Sequence, residues 1–290
     1  MLVHENFMAR AIELAKKGRG SVSPNPMVGC VLVKDGEIIG EGYHEEFGAP
    51  HAEVMAFRNA IVDPTDCIVY VNLEPCNIES KTPPCTKFLI ENGAAEVFIS
   101  NVDPNPDISG SGIKDLDRAN IKTHLGILDK EARELNKGFY KWVKTGYPWV
   151  ITKVAQSANR YMGLDNNSSC WITNDVSKKH THKLRSKVDA VFVGKNTAKI
   201  DNPSLTVRLI DGKSPKRIIA DTNRTLPQNL KLFNDDEAET IVLCSSSQFS
   251  NNETSHCKFI VIKEKNKLLD PENILIELAN IGITSVLLEG

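Results

Sequence analysis

Residues 67–76 read Cys-Ile-Val-Tyr-Val-Asn-Leu-Glu-Pro-Cys. The first seven have the short, β-branched, apolar character of a buried strand. Glu74-Pro75 ends that strand and delivers the chain into the Cys76 thiol. Downstream, Pro83-Pro84 precedes a second thiol at Cys85, and prolines suit a first helical turn because the missing N–H is unpaired there anyway. Upstream, Pro50 precedes His51-Ala52-Glu53, which opens an apolar-periodic run (Val54, Met55, Phe57, Ile61). A helix over 51–62, the 67–73 strand and a helix from Cys85 form an α/β unit with side chains of one chemistry at its corner.

His51, Cys76 and Cys85 are one imidazole and two thiols, the donor types of a catalytic zinc site with three protein ligands and an open fourth position. Glu53 is not needed as a ligand. A carboxylate two residues after the imidazole, followed by Pro-Cys and a second Cys, is the zinc-deaminase signature for attack of activated water on an amidine-like ring carbon. Zinc brings the pKa of bound water down toward about 7. Glu53 is then the proton carrier, taking the water's proton and later protonating the departing ammonia. The positive ends of the two helices are expected to favour the thiolate of Cys85.

The rest of the first unit follows the same alternation. A helix over 4–18 precedes the loop Ser23-Pro24-Asn25-Pro26, which prolines keep extended. Strands at 28–33 and 38–43 turn at Asp35-Gly36, a strong hairpin signal. Strands at 97–100 and near 121–125 and a helix over 129–144 complete an α/β sandwich with a mainly parallel sheet. Open sheets of this class bind ligands at the carboxyl ends of their strands. Asn25, His44 and Asn105 lie in loops able to reach that crevice, as substrate contacts or as ordinary turn residues.

Gly146-Tyr147-Pro148 separates a second unit. Strands are expected at 149–155, 188–193, 217–220, 241–243, 259–262 and 283–288. Helices are expected from an Asn174 or Asp175 cap to about Ser186 and over 271–280. Lys178, Lys179, His180, His182 and Lys183 read mainly as a solvated helix face, with a phosphate contact as the alternative. His256-Cys257 carries little weight as a second metal site. The chain stops after an apolar strand that reads as interior, so the sequence is expected to be incomplete at its C-terminus.

The 290 residues suit two domains, set at 1–146 and 147–290. With 41% apolar and 25% charged residues the composition is that of a globular protein, and 35 basic against 37 acidic side chains give a net charge of −2. That balance speaks against a nucleic-acid partner. No apolar run approaches the ~20 residues of a membrane span. Seven scattered cysteines, an odd number, suit a reducing compartment and a metal site better than a disulfide framework, so a cytoplasmic location is expected.

Over its whole length the chain resembles the bifunctional riboflavin-biosynthesis deaminase–reductase family. In the first half the resemblance is carried by Pro24-Asn25-Pro26-Met27-Val28-Gly29, Gly42-Tyr43-His44, His51-Ala52-Glu53-Val54, Tyr70 to Cys76, Thr82 to Cys85, Asp103-Pro104-Asn105-Pro106 and Leu135-Asn136-Lys137-Gly138-Phe139. In the second it rests on Lys153 and Ser157, Trp171-Ile172-Thr173, Leu184-Arg185, Gly194 with Thr197, Asp201 to Arg208, and Arg217 to Asp221.

The resemblance implies a cytidine-deaminase-like αβα sandwich followed by a dihydrofolate-reductase-like α/β domain. It implies zinc-dependent deamination of a phosphorylated ribosylaminopyrimidine, then NADPH-dependent reduction of its ribosyl chain to ribityl. By matched positions, Ala155, Trp171, Thr197, Asp201 and Thr222 would contact the cofactor. Ser169, Arg185, Leu205, Arg208 and Glu289 would contact substrate. Lys153 is the candidate to polarise the sugar oxygen, and a homo-oligomer is expected. Several segments depart from the family. Asn77, Ile78, Glu79, Ser80 and Lys81 stand where Ser-His-x-Gly-Arg is usual, Ala158-Asn159-Arg160-Tyr161 replaces Leu-Asp-Gly-Arg, and Asn202 replaces a frequent Asp. The glycine-rich segment that would follow Glu289-Gly290 is absent, so little NADPH oxidation is expected of this stretch alone. The alternatives are a deaminase with a non-catalytic second domain, or a deaminase of cytosine nucleotides or tRNA adenosine.

Overall fold

Leu2–Ala15 is the first helix (α1), and Met8, Ala11, Ile12 and Ala15, three or four residues apart, form its buried stripe. It closes at Ala15 into a tighter turn over Lys16–Gly18. Gly29–Lys34 (β1) and Glu37–Tyr43 (β2) pair antiparallel. Asp35 and Gly36 between them have φ of 53° and 82°, as a two-residue type I′ turn requires. Ala52–Arg58 (α2), Ile68–Val71 (β3), Cys85–Glu91 (α3), Glu96–Ile99 (β4), Ser111–Arg118 (α4), Lys122–Leu125 (β5), Asp129–Leu135 (α5) and Lys137–Thr145 (α6) follow. The structure, a computed structural model, describes residues 2–79, 83–164, 168, 171–248 and 257–290. It divides into two units, Met1–Thr145 and Gly146–Gly290.

The first unit's sheet has the order β2-β1-β3-β4-β5. Period-2 alternation gives it two apolar faces. Cys30, Leu32, Val69, Val71, Val97 and Ile99 meet Ala52, Ala56, Phe57, Leu89 and Leu116 of α2, α3 and α4. Val31, Val33, Tyr70 and Phe98 point the other way, onto Met8, Ala11 and Ile12 of α1 and Ala132 of α5. The expected mainly parallel sheet is mixed instead: β2–β1 and β1–β3 are antiparallel, β3–β4 and β4–β5 parallel. The connection through α2 carries the chain past β1, so β1 lies between two strands that both oppose it.

Three helices also differ from expectation. The 51–62 helix stops at Arg58. The 129–144 helix is broken at Asn136, whose side chain holds the backbone of Met27. Gly110 caps α4 (Ser111–Arg118), where no helix was expected.

In the second unit, Trp149–Lys153 (β6), Asp175–Arg185 (α7), Ala190–Gly194 (β7), Lys195–Asp201 (α8), Lys216–Ala220 (β8), Lys231–Asn234 (α9), Thr240–Cys244 (β9), Cys257–Val261 (β10), Glu264–Lys265 (β11), Leu268–Leu269 (β12), Pro271–Asn280 (α10) and Ser285–Glu289 (β13) follow in order. Six of these strands form the sheet β10-β9-β8-β7-β13-β6, every pairing parallel. Asn174 is the cap of α7, its side chain accepting the Ser177 N–H at 3.0 Å. Helices α8 and α9 carried no expectation, being short and without a clean apolar period. One carboxylate oxygen of Asp189, just before β7, accepts from the backbone N–H and hydroxyl of both Thr284 and Ser285, which seats the start of β13 beside β7. Among the described residues no helix is long and apolar enough to cross a membrane.

Candidate active sites

The metal-site residues come from three segments that end at one corner of the first sheet. His51 is the N-cap of α2, Cys85 is the first residue of α3, and Cys76 follows β3 by five residues. Gly42 lets α2 lie directly on β2, since a Cβ there would fall 2.3 Å from the Ala56 nitrogen and 2.5 Å from the Ala52 carbonyl oxygen. His51 Nδ1 is 3.1 Å from Cys85 Sγ and 3.5 Å from Cys76 Sγ, and ligand atoms of all three residues lie within 4.8 Å of one another. A tetrahedral zinc with bonds of about 2.1 Å to nitrogen and 2.3 Å to sulfur separates its donors by roughly 3.6 Å. Soft donors at nearly that spacing, partly enclosed, fit the ion.

Hydrogen bonding treats the two thiols differently. Cys76 is pushed down to about 4, because it accepts hydrogen bonds from the Cys85 side chain and backbone N–H and from His51. Cys85, deeper and donating, is pushed up. The acceptor position decides which thiol ionises first. A seven-residue helix contributes little dipole beyond its own first N–H groups.

Glu53 is 3% exposed, its carboxyl close enough to His51, Cys76 and Cys85 to interact with them electrostatically. Burial pushes its pKa up. Asn25 and His44 come to the same corner. The His44 ring lies edge-on to His51 at 5.4 Å. Pro50's carbonyl can only accept, so His44 Nδ1–H donates to it (3.2 Å) and Nε2 accepts from Asn25 Nδ2 (3.1 Å). Burial lowers the His44 pKa and keeps this neutral tautomer. Two asparagines hold the loop that bears Asn25: Asn72 reaches Gly29 N–H and the Met27 carbonyl, and Asn136 reaches both backbone groups of Met27. Asn105 closes a turn, its side chain accepting the Asp107 N–H. Of the unusual 77–81 segment, Asn77 binds Ser111 and Asp115 of α4, whereas Ser80 and Lys81 lie outside the described residues.

Sequence reasoning missed Glu74, Asn72 and Asn136. For Asn72 and Glu74 the available signal was a polar residue just after a buried strand, which must find partners; Asn136, between two helices, offered none.

In the second unit Lys153, Thr197, Thr222 and Glu289 lie at or just beyond the carboxyl ends of the parallel strands. Lys153 ends β6 directly opposite Glu289, which ends β13. Ala155 lies two residues beyond Lys153, and Thr197 is in the first turn of α8, after β7. Thr222 follows β8, its carbonyl accepting the Ser245 N–H. Asp201 ends α8, exposed. Trp171 is 74% exposed, with Lys178 Nζ 4.4 Å from its ring centroid. Ser169 and His256 lie outside the described residues.

Arg185 and Glu289, both expected on substrate, hold one another. Nε and Nη2 of Arg185 donate to the two carboxylate oxygens at 2.8 and 2.9 Å, and Nη1 donates to the Thr206 carbonyl. Leu205 is 2% exposed and packs in the core at φ 56°. Arg208 is exposed, and its backbone N–H donates to His182 Nδ1 at 3.1 Å. His182 is therefore no part of a solvated face: it is 4% exposed, while Lys179, His180 and Lys183 are exposed.

Residues 1–101 match the family described as the cytidine and deoxycytidylate deaminase zinc-binding region, and residues 148–290 match the RibD C-terminal domain. A riboflavin biosynthesis protein RibD of Aquifex aeolicus is 40% identical, covering 99% of this chain and 81% of that protein. The protein of the same name from Bacillus amyloliquefaciens is 38% identical over 99% of this chain and 78% of its own. The crystal structure of a diaminohydroxyphosphoribosylaminopyrimidine deaminase/5-amino-6-(5-phosphoribosylamino)uracil reductase from Thermotoga maritima superposes with a TM-score of 0.87 at 39% identity, covering 99% of this chain and 81% of that one.

Proposed function

The chain belongs to the RibD family of riboflavin-biosynthesis proteins, and from that premise we propose that residues 1–146 carry its zinc-dependent pyrimidine deaminase and residues 147–290 its NADPH-dependent reductase. The two act in succession on 2,5-diamino-6-ribosylamino-4(3H)-pyrimidinone 5′-phosphate, first releasing ammonia, then reducing the ribosyl chain to ribityl. The observation that carries the reading is the His51–Cys76–Cys85 cluster with Glu53 against it. The attached RibD C-terminal domain argues against a deaminase of free cytosine nucleotides or of tRNA adenosine.

His51, Cys76 and Cys85 hold zinc, which supplies Lewis-acid activation of water at neutral pH. Glu53 Oε takes a proton from the attacking water and returns it to the departing amine, a shuttle helped by burial, which raises the carboxyl pKa. Asn25 and His44, locked together in one tautomer, form the adjacent wall and orient the pyrimidine.

NADPH supplies the hydride of the second step. Lys153 holds a proton donor at the sheet edge, where it polarises the sugar oxygen. Ala155, Trp171, Thr197, Asp201 and Thr222 line the cofactor's course, and Ser169 and Leu205 (through its backbone) the substrate's. Arg185 is committed to Glu289 and Thr206, so the exposed Arg208 is the guanidinium that receives the phosphate, in the bidentate manner its fork allows. A cytoplasmic location, suited to the free cysteines among the described residues, and a homo-oligomeric assembly complete the proposal.

The test is mass spectrometry of products from the ribosylaminopyrimidine phosphate, with and without NADPH. The deaminated product is expected in both reactions, and any ribityl product only with NADPH. No mass change in either would overturn the proposal.

A further inference from the structure

Glu74 stands between β3 and Cys76, is 3% exposed, and lies outside the His51–Cys76–Cys85 cluster. Its Oε2 accepts the backbone N–H groups of Asp103 (3.1 Å) and Gly110 (2.9 Å), and its Oε1 those of Gly112 (2.9 Å) and Ile113 (3.3 Å). Its own N–H donates to the Asn101 carbonyl at 2.9 Å. One carboxylate thus fastens both ends of the 103–113 stretch to the segment that bears a metal ligand. The fit is direct: a Cβ on Gly112 would come 2.2 Å from the Pro75 carbonyl oxygen, so the start of α4 rests on the backbone next to Cys76. Asn77 adds a second fastening through Ser111 and Asp115.

The stretch so held begins at the metal corner. Asp103 is 6% exposed, and its carboxyl caps the Asn105 N–H. Burial, with the nearby Glu74 and Cys76, pushes the Asp103 pKa up to about 6. Asp103 is therefore within electrostatic reach of the sulfur, on a loop that Glu74 ties to the end of β3.

We infer that Glu74 is a positioning residue of the deaminase site: it touches neither metal nor substrate, and it sets the 103–110 loop, with Asp103 and Asn105, as the substrate wall beside Cys76. The inference rests on the deaminase reading for what the wall faces. Only a carboxylate serves, because all four partners are donors and an ionised carboxyl is acceptor-only with two lone pairs on each oxygen. Glutamine would turn an NH2 group toward two N–H groups.

The experiment uses the full chain and two variants. Glu74→Gln breaks half the clamp, and Gly112→Ala pushes the loop off Pro75 while leaving the carboxylate intact. Each is assayed for bound zinc, for KM and kcat of ammonia release, and for amide hydrogen exchange across 101–113. The expected result is zinc as in the parent chain, exchange over 103–113 at least about tenfold faster, and KM raised about tenfold or more with kcat changed much less, the pattern of lost uniform binding. Unchanged exchange in both variants overturns the clamp. Faster exchange with unchanged KM overturns the wall, leaving Glu74 a helix cap. Failure of the parent chain to release ammonia would count against the deaminase reading, and the exchange data would still decide the clamp.

Discussion

Glu53 and Glu74 are equally buried carboxylates, yet their partners give them opposite tasks. Glu74 is saturated by four backbone donors, whereas Glu53 meets sulfur and imidazole and has acceptor capacity to spare. A proton carrier needs that spare capacity. Glu53→Gln is therefore expected to keep stoichiometric zinc and lose roughly 10²–10⁴-fold in ammonia release, the usual worth of a positioned acid–base group; metal analysis beside the ammonia assay checks it, and turnover near the parent rate would remove Glu53 from the role. The sequence announces Glu53 because its side chain belongs to a spaced pattern with His51, Cys76 and Cys85. It does not announce Glu74, whose partners are backbone N–H groups and leave no trace in residue types. The mutual pairing of Arg185 and Glu289 was hidden for a related reason: 104 residues separate them, and only the parallel insertion of β13 beside β7 brings them together.

At the level of elements, the strands and the two helices that carry ligands were legible from apolar period and proline placement, and the breaks were not. The 129–144 stretch has a continuous helical pattern, but Asn136 leaves the helix to satisfy both backbone groups of Met27 at 2.8 and 2.9 Å, fixing the loop that carries Asn25. Asn136→Ala should strand a half-buried N–H and C=O and cost about 1–3 kcal/mol in chemical denaturation of the first unit. A rise in stability from a now-continuous helix would show that the break has no such purpose.

Helix α7 misleads in the other direction. Its buried residues are His182 and Arg185, with only the partly buried Leu184 adding an apolar contact to the core, so a polar sequence conceals a buried stripe. His182 must stay neutral for Nδ1 to accept the Arg208 N–H, and burial with Arg185 and Arg208 pushes its pKa below 6.5, Glu289 alone opposing. A histidine depressed in the folded state binds its proton more readily when unfolded. Its contribution is thus complete above the ordinary pKa of about 6.5 and is lost as pH falls below that value. The melting midpoint of the second unit should fall on acidification through this range, and His182→Gln should flatten the slope. An identical slope in that variant would assign the effect to other groups.

The whole molecule is two units, each with its own pair of apolar clusters, Cys30 to Ile121 and Met8 to Ala132 in the first, Val188 to Leu287 and Ala190 to Val286 in the second. The second unit begins at Gly146, in the Gly146-Tyr147-Pro148 stretch. The mixed order of the first sheet was not legible in the sequence, because no local pattern tells that α2 carries the chain past β1. Metal binding should act on this architecture unevenly. All three proposed ligands lie in the first unit, in segments otherwise separated by 25 and 9 residues, so the ion would cross-link that unit alone and its binding free energy would add to that unit's folding. Free zinc at 100 times its Kd stabilises by about 2.7 kcal/mol, and a unit of this size moves by about 4 °C per kcal/mol. Chelation is therefore expected to lower one calorimetric transition by about 10 °C and leave the other in place, with Cys85→Ala reproducing the lowered midpoint and abolishing its response to added zinc. If both transitions moved together, or if Cys85→Ala still responded to zinc, the metal would not be held by these three residues within the first unit.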